Sequence, residues 1–225
     1  MNKLVITGVL LYMIFAVSCK KDENGNDEPT PQPVSAYLQL SPGNYWVYEH
    51  YKIDSLGNET QVQRTDSIVI TGDTMINNQL YYIFEGTMFG ASPRRVLGYF
   101  RDSAKHLVNH EGWIAFSETN FSHPINSLVD YHPQTDTLFT SHTLMEDPGT
   151  PVTVPAGTFT ALNAKYYLTL YYHNMNLGDE IGQVGLNKFF GQGVGEILYE
   201  YIMVSEYYHD KTTRGRRLVR YSVAM

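Results

Sequence analysis

Short apolar runs alternate with turn-forming residues along most of the chain after Tyr37. The clearest runs are NYWVYEHYKID (44–54), RTDSIVITGD (64–73), QLYYIFEG (79–86) and RRVLGYFRDS (94–103). They are rich in Tyr, Val, Ile and Phe, which favour strands, and each run ends at a residue that favours turns. This pattern predicts antiparallel strands joined by hairpins, with TGDTMINNQ as a short hairpin connection.

Two longer runs, 154–173 and 195–209, are also predicted to be strands. Both faces of the second run are mostly apolar, which indicates a strand that is covered on both sides or wraps a barrel-like interior. The segment DKTTRG is predicted to be a loop before a last strand, RRLVRYSVAM. No long 3.6-residue apolar period occurs in the body of the chain, although NHEGWIAFSETNF (109–121) allows a short helix. The pattern predicts an all-β, mainly antiparallel fold with few short helices.

Composition is consistent with a folded domain that does not bind nucleic acid. The 225 residues are 43% hydrophobic and 13% aromatic, which is enough for a packed core in one large domain or two small ones. The formal net charge of −7 disfavours a polyphosphate partner. Four arginines cluster near the C-terminus: Arg214, Arg216, Arg217 and Arg220. At strand spacing they are predicted to lie mainly on one polar face, which is either solvated or in contact with an anion or a nucleic acid.

The first 18 residues are typical of a secretory signal. One lysine precedes an apolar stretch from residue 4 to residue 17, and a small residue lies directly before Cys19. The stretch is shorter than the roughly 20 residues of a membrane-spanning helix. After the cysteine, KKDENGNDEPTPQPV lacks large apolar residues before Val34 and is predicted to be a disordered tether. The predicted organisation is a signal peptide (1–18), Cys19 with its tether (19–36) and a single β-rich domain (37–225).

The residues AVSC (16–19) resemble a slightly relaxed bacterial lipobox, with Ala16 where leucine is more usual. The resemblance implies that signal peptidase II cuts before Cys19 and that this cysteine, the only one in the sequence, carries a thioether-linked diacylglycerol. One acyl chain holds a protein only marginally, so a second chain makes such an anchor stable. The following KKDE is similar to export signals of some Gram-negative lipoproteins, which implies the outer membrane, at its periplasmic or cell-surface face. The alternative is an ordinary cysteine beside a conventional cleavage site.

The body of the chain, from Tyr37 to Met225, resembles a broad group of secreted, β-rich bacterial lipoprotein domains. The segments that carry this resemblance are GNYWVYE, ITGDTMINNQLYYIF, YFRDS, SLVDYHPQTDT, VTVPAGTFTALNAKYY and GQGVGEILYEY. The resemblance implies a strongly curved antiparallel sheet, similar to the half-open barrels of lipoprotein carriers such as LolA. It implies no catalytic residues.

No pattern in the sequence specifies a reaction, a metal or a cofactor. The glycines of GQGVGE (191–196) lack the spacing of a dinucleotide loop, so a turn or bulge is predicted there. His106 and His110 are four residues apart, but their surroundings are typical of strand and turn rather than of a zinc-binding helix. A Gly-x-Ser-x-Gly motif is absent from the sequence.

Asp–Ser and Asp–Thr pairs recur along the chain. They are Asp54-Ser55, Asp66-Ser67, Asp73-Thr74, Asp102-Ser103 and Asp136-Thr137. The Asp–Ser pairs are predicted to occupy turns or strand starts, where their side chains bond to nearby backbone. The pairs followed by an apolar residue are also similar to an O-glycosylation acceptor pattern of some exported Gram-negative proteins, so modification remains an alternative.

Together these observations predict a non-catalytic outer-envelope lipoprotein that binds a hydrophobic ligand or a partner through a curved sheet. Its contact with the membrane is the lipid on Cys19, and neither a cofactor nor a nucleic acid is expected. A hydrophobic ligand requires an apolar groove of roughly several hundred Å³. One alternative is a surface lipoprotein that binds glycans or proteins, with Trp46 and tyrosines stacking on sugars. The other is a hydrolase whose histidine and carboxylate groups meet only in the folded chain.

Overall fold

The computed structural model describes residues 35–88, 91–131, 137–170, 183–205 and 210–224. Within these residues, all regular secondary structure is β-strand. Every pairing between strands is antiparallel. The predicted all-β, antiparallel fold is confirmed. The strands are β1 (Tyr45–Ile53), β2 (Glu59–Ile76), β3 (Gln79–Met88), β4 (Ala91–Ser103), β5 (His106–Asn109), β6 (Ile114–Ser117), β7 (Asn126–Tyr131), β8 (Thr137–Val154), β9 (Gly157–Leu170), β10 (Gln183–Leu186), β11 (Lys188–Gly191), β12 (Gly195–Ser205) and β13 (Asp210–Ser222).

All thirteen strands belong to one sheet. Strands β1 to β6 pair in chain order, β7 to β9 do the same, and the pairing of β1 with β13 joins the two halves. Strands β10 and β11 pair with successive parts of β9, so they act as one strand that is interrupted at Asn187. The two edges of the sheet are therefore β6 and β7.

The sheet curls until its two edge strands approach each other. The side-chain amide of Asn126, the first residue of β7, donates a hydrogen bond of 2.7 Å to the carbonyl oxygen of Ile114 in β6. No backbone ladder joins β6 to β7 in the described residues. The sheet is nearly closed into a barrel, which confirms the predicted strong curvature. We call the line where β6 meets β7 the seam.

The hairpin predicted at TGDTMINNQ is confirmed. Between the end of β2 and the start of β3, Asn77 and Asn78 have φ angles of 50° and 60°. A two-residue hairpin turn requires this left-handed conformation, which asparagine tolerates better than most residues. GQGVGE also forms the predicted turn, between β11 and β12, with Gly193 at a φ of 75°.

The prediction of a loop at DKTTRG is wrong. Strand β13 begins at Asp210, and its first residues pair with the end of β12, where Asp210 lies opposite Ser205. Gly215, which suggested a loop, continues the strand because the Tyr51 ring lies against its Cα. Any side chain at position 215 would overlap that ring.

The short helix that the sequence allows at 109–121 is not formed. The Asn109 side-chain oxygen accepts hydrogen bonds from the backbone N–H groups of Glu111 and Trp113, at 3.0 and 2.7 Å, and so closes a turn. The chain then continues as β6, which pairs with β5. No helix of the described residues is long and apolar enough to cross a membrane.

Residues that face the interior form two apolar clusters. The first contains Trp46, Tyr48, Ile68, Ile70, Val154, Ala161, Val194, Ile197 and Leu218. The second contains Leu38, Leu107, Phe116, Ile125, Met145, Leu162, Ala164 and Phe190. Leu40 packs against both clusters, so the two form a connected core inside the curled sheet.

The segment 35–40, which precedes β1, packs on the barrel. The Ser35 N–H donates to Asp102 Oδ2 at 2.9 Å, and the Ala36 N–H donates to Glu118 Oε2 at 3.0 Å. The Ala36 carbonyl oxygen accepts a hydrogen bond of 2.8 Å from the Gly193 N–H. Ser35 and Ala36 thus join the folded domain two residues before the start expected from the sequence.

Candidate functional site

The interior of the barrel contains two cavities. The inner cavity, of about 220 Å³, is walled on one side by residues 37–40 and is lined mainly by apolar side chains that include Trp46, Phe84 and Phe190. The tyrosine cavity, of about 530 Å³, is lined by Tyr166, Tyr199, Tyr201, Trp113, Ala115, Asn126, Phe139, Thr143, Ala164, Leu168, Leu186, Lys188 and Ile202. Only the volume of the tyrosine cavity falls within the range of roughly 300 to 1,000 Å³ that small-molecule sites occupy.

A buried charged cluster lies between the two cavities. Arg216 donates two hydrogen bonds to Glu196 Oε1, from Nη2 at 2.6 Å and from Nε at 3.0 Å. The other oxygen of that carboxylate, Oε2, lies 3.3 Å from Lys188 Nζ. Lys188 lines both cavities, whereas Glu196 and Arg216 line the inner cavity. The interior is therefore not lined by apolar side chains alone, since Lys188 borders both cavities and Glu196 and Arg216 border the inner one.

Glu196 and Arg216 favour each other's charged forms. Burial alone would raise the pKa of Glu196, but the positive charges of Arg216 and Lys188 outweigh it and hold this pKa below its ordinary value. Burial lowers the pKa of Arg216, whereas Glu196 raises it, and the net effect is an increase. The Arg216 guanidinium also lies 4.7 Å from the centroid of the Tyr48 ring, which provides a cation–π contact.

A second polar group adjoins the first. His50 Nε2 lies 2.8 Å from Asp66 Oδ2, and His50 Nδ1 lies 3.2 Å from the hydroxyl oxygen of Tyr201. Arg216 Nη1 is 4.0 Å from the same Asp66 oxygen. With a proton on Nε2, the neutral imidazole donates to Asp66 and accepts from Tyr201. Burial, followed by the Asp66 charge, raises the pKa of Tyr201 despite the nearby Arg214 and Arg216.

The pairing of His50 with Asp66 brings a histidine and a carboxylate within bonding distance, which is the arrangement that a hydrolase requires. However, His50 and Asp66 are only 4% and 2% exposed, and both ring nitrogens of His50 already have partners. In this arrangement the imidazole lies between the Asp66 carboxylate and the Tyr201 hydroxyl. Of the three side chains, only Tyr201 lines the tyrosine cavity.

The prediction that the C-terminal arginines lie mainly on one polar face is wrong. Arg216 faces the interior, where its side chain is 12% exposed. Arg217 faces outward and pairs with Glu49 and Glu59, and Arg220 is exposed. The register between β1 and β13 shifts by one residue at Val47 and Tyr48, so the alternation of faces changes between Leu218 and Arg220.

Trp46 is not available as a sugar-stacking platform, because its side chain is 5% exposed and its indole N–H donates to the Val194 carbonyl oxygen at 2.7 Å. The aromatic residue that is exposed beside a cavity is Trp113, at 37%. The sequence did not distinguish these two tryptophans. The β7 edge strand exposes a further aromatic side chain, Tyr131.

The Asp–Ser pairs have different roles. Asp54 and Asp102 accept hydrogen bonds from backbone N–H groups two to four residues later, as predicted for turns. For Asp66 the prediction of a turn or strand start is wrong, because this residue lies inside β2 and is buried against His50. Among the residues that the structure describes, no group of three His, Cys, Asp or Glu side chains could hold a metal ion. Cys19 and the signal peptide lie outside the described residues.

Two solved structures are similar to this chain. One is a Bacteroides fragilis protein described as exported and as having a YmcC-like fold; it is 10% identical, covers 84% of this chain and all of its own, and has a TM-score of 0.43. The other is a Parabacteroides distasonis protein described as a lipoprotein; it is 13% identical, covers 85% of this chain and all of its own, and has a TM-score of 0.40. No protein-family model and no curated protein matches the sequence.

Proposed function

We propose that this protein is a lipid-anchored lipoprotein of the outer membrane that holds a hydrophobic small molecule inside its barrel, without catalysis. The observation that carries the proposal is the tyrosine cavity, whose volume of about 530 Å³ is typical of ligand sites. Its lining combines apolar side chains with a few polar groups, which is also typical of such sites.

The seam gives a ligand a route to the tyrosine cavity. Trp113 is exposed beside β6 and Asn126 begins β7, and both line this cavity. The hydrogen bond from Asn126 to Ile114 bridges the edges, and the buried side-chain oxygen of Asn126 has no hydrogen-bond partner in the described parts of the chain. A seam held by side chains opens at a lower cost than a continuous backbone ladder, because fewer hydrogen bonds are broken.

Sequence features supply the proposed location. AVSC at 16–19 assigns Cys19 as the lipid attachment point, and the polar segment after it is a tether. From Cys19 to Val34 this tether spans at most about 50 Å when fully extended. We infer that this anchor holds the barrel near the membrane, at the periplasmic or the cell-surface face.

A second candidate function is the binding of a surface partner. Strand β7 is an edge strand, and it exposes Leu128, Val129 and Tyr131, the last at 66%. Unpaired edges with apolar side chains can accept another strand. This candidate predicts that binding is lost on changing the β7 edge and is unaffected by filling the cavity.

A cavity-filling variant tests the proposed function. The full chain is immobilised, washed free of detergent and titrated with the neutral apolar fluorophore N-phenyl-1-naphthylamine. We expect saturable binding at one site per chain and a loss of affinity of at least about tenfold in Ala115→Trp, because Ala115 lines both cavities. The matched control is Thr169→Trp, which places the indole on the opposite face of β9 from the cavity residue Leu168.

Thr169→Trp is expected to bind as the wild type does. Circular dichroism and thermal unfolding of both variants establish that the barrel is folded. Absence of saturable binding by the wild type would refute the proposed function, and so would unchanged affinity in a folded Ala115→Trp variant.

A further inference from the structure

Lys188 is the only charged side chain among the described residues that line the tyrosine cavity. Its side chain is 26% exposed, and its ammonium group lies 5.3 and 5.4 Å from the centroids of the Tyr199 and Phe190 rings. The rest of that lining is apolar, aromatic or neutral and polar. A ligand in this cavity therefore meets one positive charge on an otherwise uncharged surface.

The positive charge of Lys188 is only partly neutralised by the protein. Among the described residues its acidic partner is Glu196, and that carboxylate already accepts two hydrogen bonds from Arg216. The single negative charge of Glu196 is therefore shared by Lys188 and Arg216. The Glu196 contact also occupies only part of the ammonium group, which carries three N–H donors.

The neighbouring polar group of His50 and Asp66 supplies no second carboxylate for the Lys188 ammonium. Asp66 adds one negative charge, but it faces Arg216 and His50. Arg214, which lies opposite Tyr201 in the β12–β13 pairing, adds another positive charge, and its buried Nε has no hydrogen-bond partner among the described residues. Among the described residues, Lys188 therefore forms an ion pair with no carboxylate other than Glu196.

We propose that the ligand is an amphiphile with one carboxylate and a long apolar chain, whose carboxylate binds the Lys188 ammonium. This inference rests on the proposed function of the cavity. The carboxylate accepts N–H donors of the Lys188 ammonium that Glu196 leaves unused. The chain lies against Trp113, Phe139 and Leu168, on apolar parts of the same lining. Lys188 would repel a cationic head group, and a neutral head group would form no ion pair with it.

Binding of an acid and of its matched alcohol tests this inference. Immobilised full chain, free of detergent, is titrated with radiolabelled hexadecanoate and with radiolabelled hexadecanol, which have the same chain length. We expect the acid to bind at least about tenfold more tightly than the alcohol. We expect Lys188→Met to reduce acid binding to the level of the alcohol, and Lys188→Arg to retain the preference for the acid.

Lys165→Met is the matched control. Lys165 also lies 3.3 Å from a glutamate oxygen and 5.4 Å from a tyrosine ring centroid, and its side chain is 29% exposed. It faces away from the cavity, because its neighbours Ala164 and Tyr166 line the cavity. Binding of both ligands by Lys165→Met is expected to equal that of the wild type.

Equal affinity of the wild type for acid and alcohol would overturn this inference, even if Lys188→Met failed to fold, and would leave the proposed function intact. Unchanged preference for the acid in a folded Lys188→Met variant would overturn it as well. If acid, alcohol and N-phenyl-1-naphthylamine all fail to bind the wild type, both the inference and the proposed function fall.

Discussion

Replacement of Arg216 by methionine is expected to lower the free energy of unfolding by about 3 kcal/mol, because removing one partner of a buried ion pair leaves an uncompensated buried charge. The Arg216 side chain is 12% exposed and that of Glu196 is 14% exposed. In the variant, Glu196 keeps only Lys188 at 3.3 Å, and Tyr48 loses the guanidinium over its ring. Methionine retains most of the apolar part of the arginine side chain. The loss of stability therefore reflects mainly the removal of the Arg216 charge.

Arg217→Met is the matched control for that measurement. Arg217 is the next residue in β13 and also lies over a tyrosine ring, that of Tyr51. Its partners Glu49 and Glu59 are on the outer face, and its side chain is 28% exposed. An exposed ion pair contributes at most about 1 kcal/mol. Urea unfolding of the full chains, followed by tryptophan fluorescence, compares the two variants, and equal losses of stability would contradict a buried charged cluster.

Replacement of Cys19 by alanine is expected to abolish lipid attachment. If Cys19 carries the thioether-linked diacylglycerol, a side chain without sulfur cannot receive it, and the precursor remains uncleaved or the protein is released. Cells grown with an alkyne-bearing fatty acid provide the measurement: wild-type protein becomes labelled, and labelling of Cys19→Ala falls to background. The expected change is a complete loss, because the chain has one cysteine.

Ser18→Ala is the control for lipid attachment, since it keeps a small residue directly before the cysteine. It is expected to be labelled and cleaved as the wild type is. Labelling of the Cys19→Ala variant at the wild-type level would contradict the assignment of the anchor. Wild-type protein that leaves the membrane without detergent would contradict it too.

The sequence predicted the strands and their curvature because these depend on local patterns. Alternating apolar residues with turn residues between them mark the hairpins, and the paired asparagines at 77 and 78 fit the left-handed turn that joins β2 to β3. The two apolar faces of 195–209 indicated a curled sheet, and the sheet of this protein is curled. The prediction of a loop at DKTTRG was wrong because its residues are polar, whereas the strand there is determined by pairing with β12.

The charged cluster was missed because polar residues in strands were assigned to solvent. Arg216 and Leu218 lie two residues apart in a strand, so an apolar position at 218 placed Arg216 on the inner face. This two-residue spacing is visible in the sequence. It also places His50 on the same face of β1 as the apolar residue Tyr48. The pairing of Arg216 with Glu196, however, depends on the register between β12 and β13, which no local pattern specifies.

The role of Lys188 could not be predicted from sequence for a similar reason. Its environment comes from β9, β11 and β12 together, and the interruption at Asn187 separates β10 from β11. Asn187 is held there by hydrogen bonds from its backbone and side-chain N–H groups to Glu200 Oε2, at 3.0 and 2.7 Å. Lys188 then begins β11, opposite Tyr199, and lines the cavity. Long-range contacts thus determine which lysine faces the interior.

A crystal structure of the full chain with 16-bromohexadecanoate tests most directly whether the barrel interior holds a hydrophobic ligand. We predict an anomalous bromine peak inside the tyrosine cavity, near Phe139 and Leu168, with the carboxylate next to Lys188. Bromine peaks confined to the outer surface of the barrel, with the tyrosine cavity empty at saturating ligand, would contradict this account.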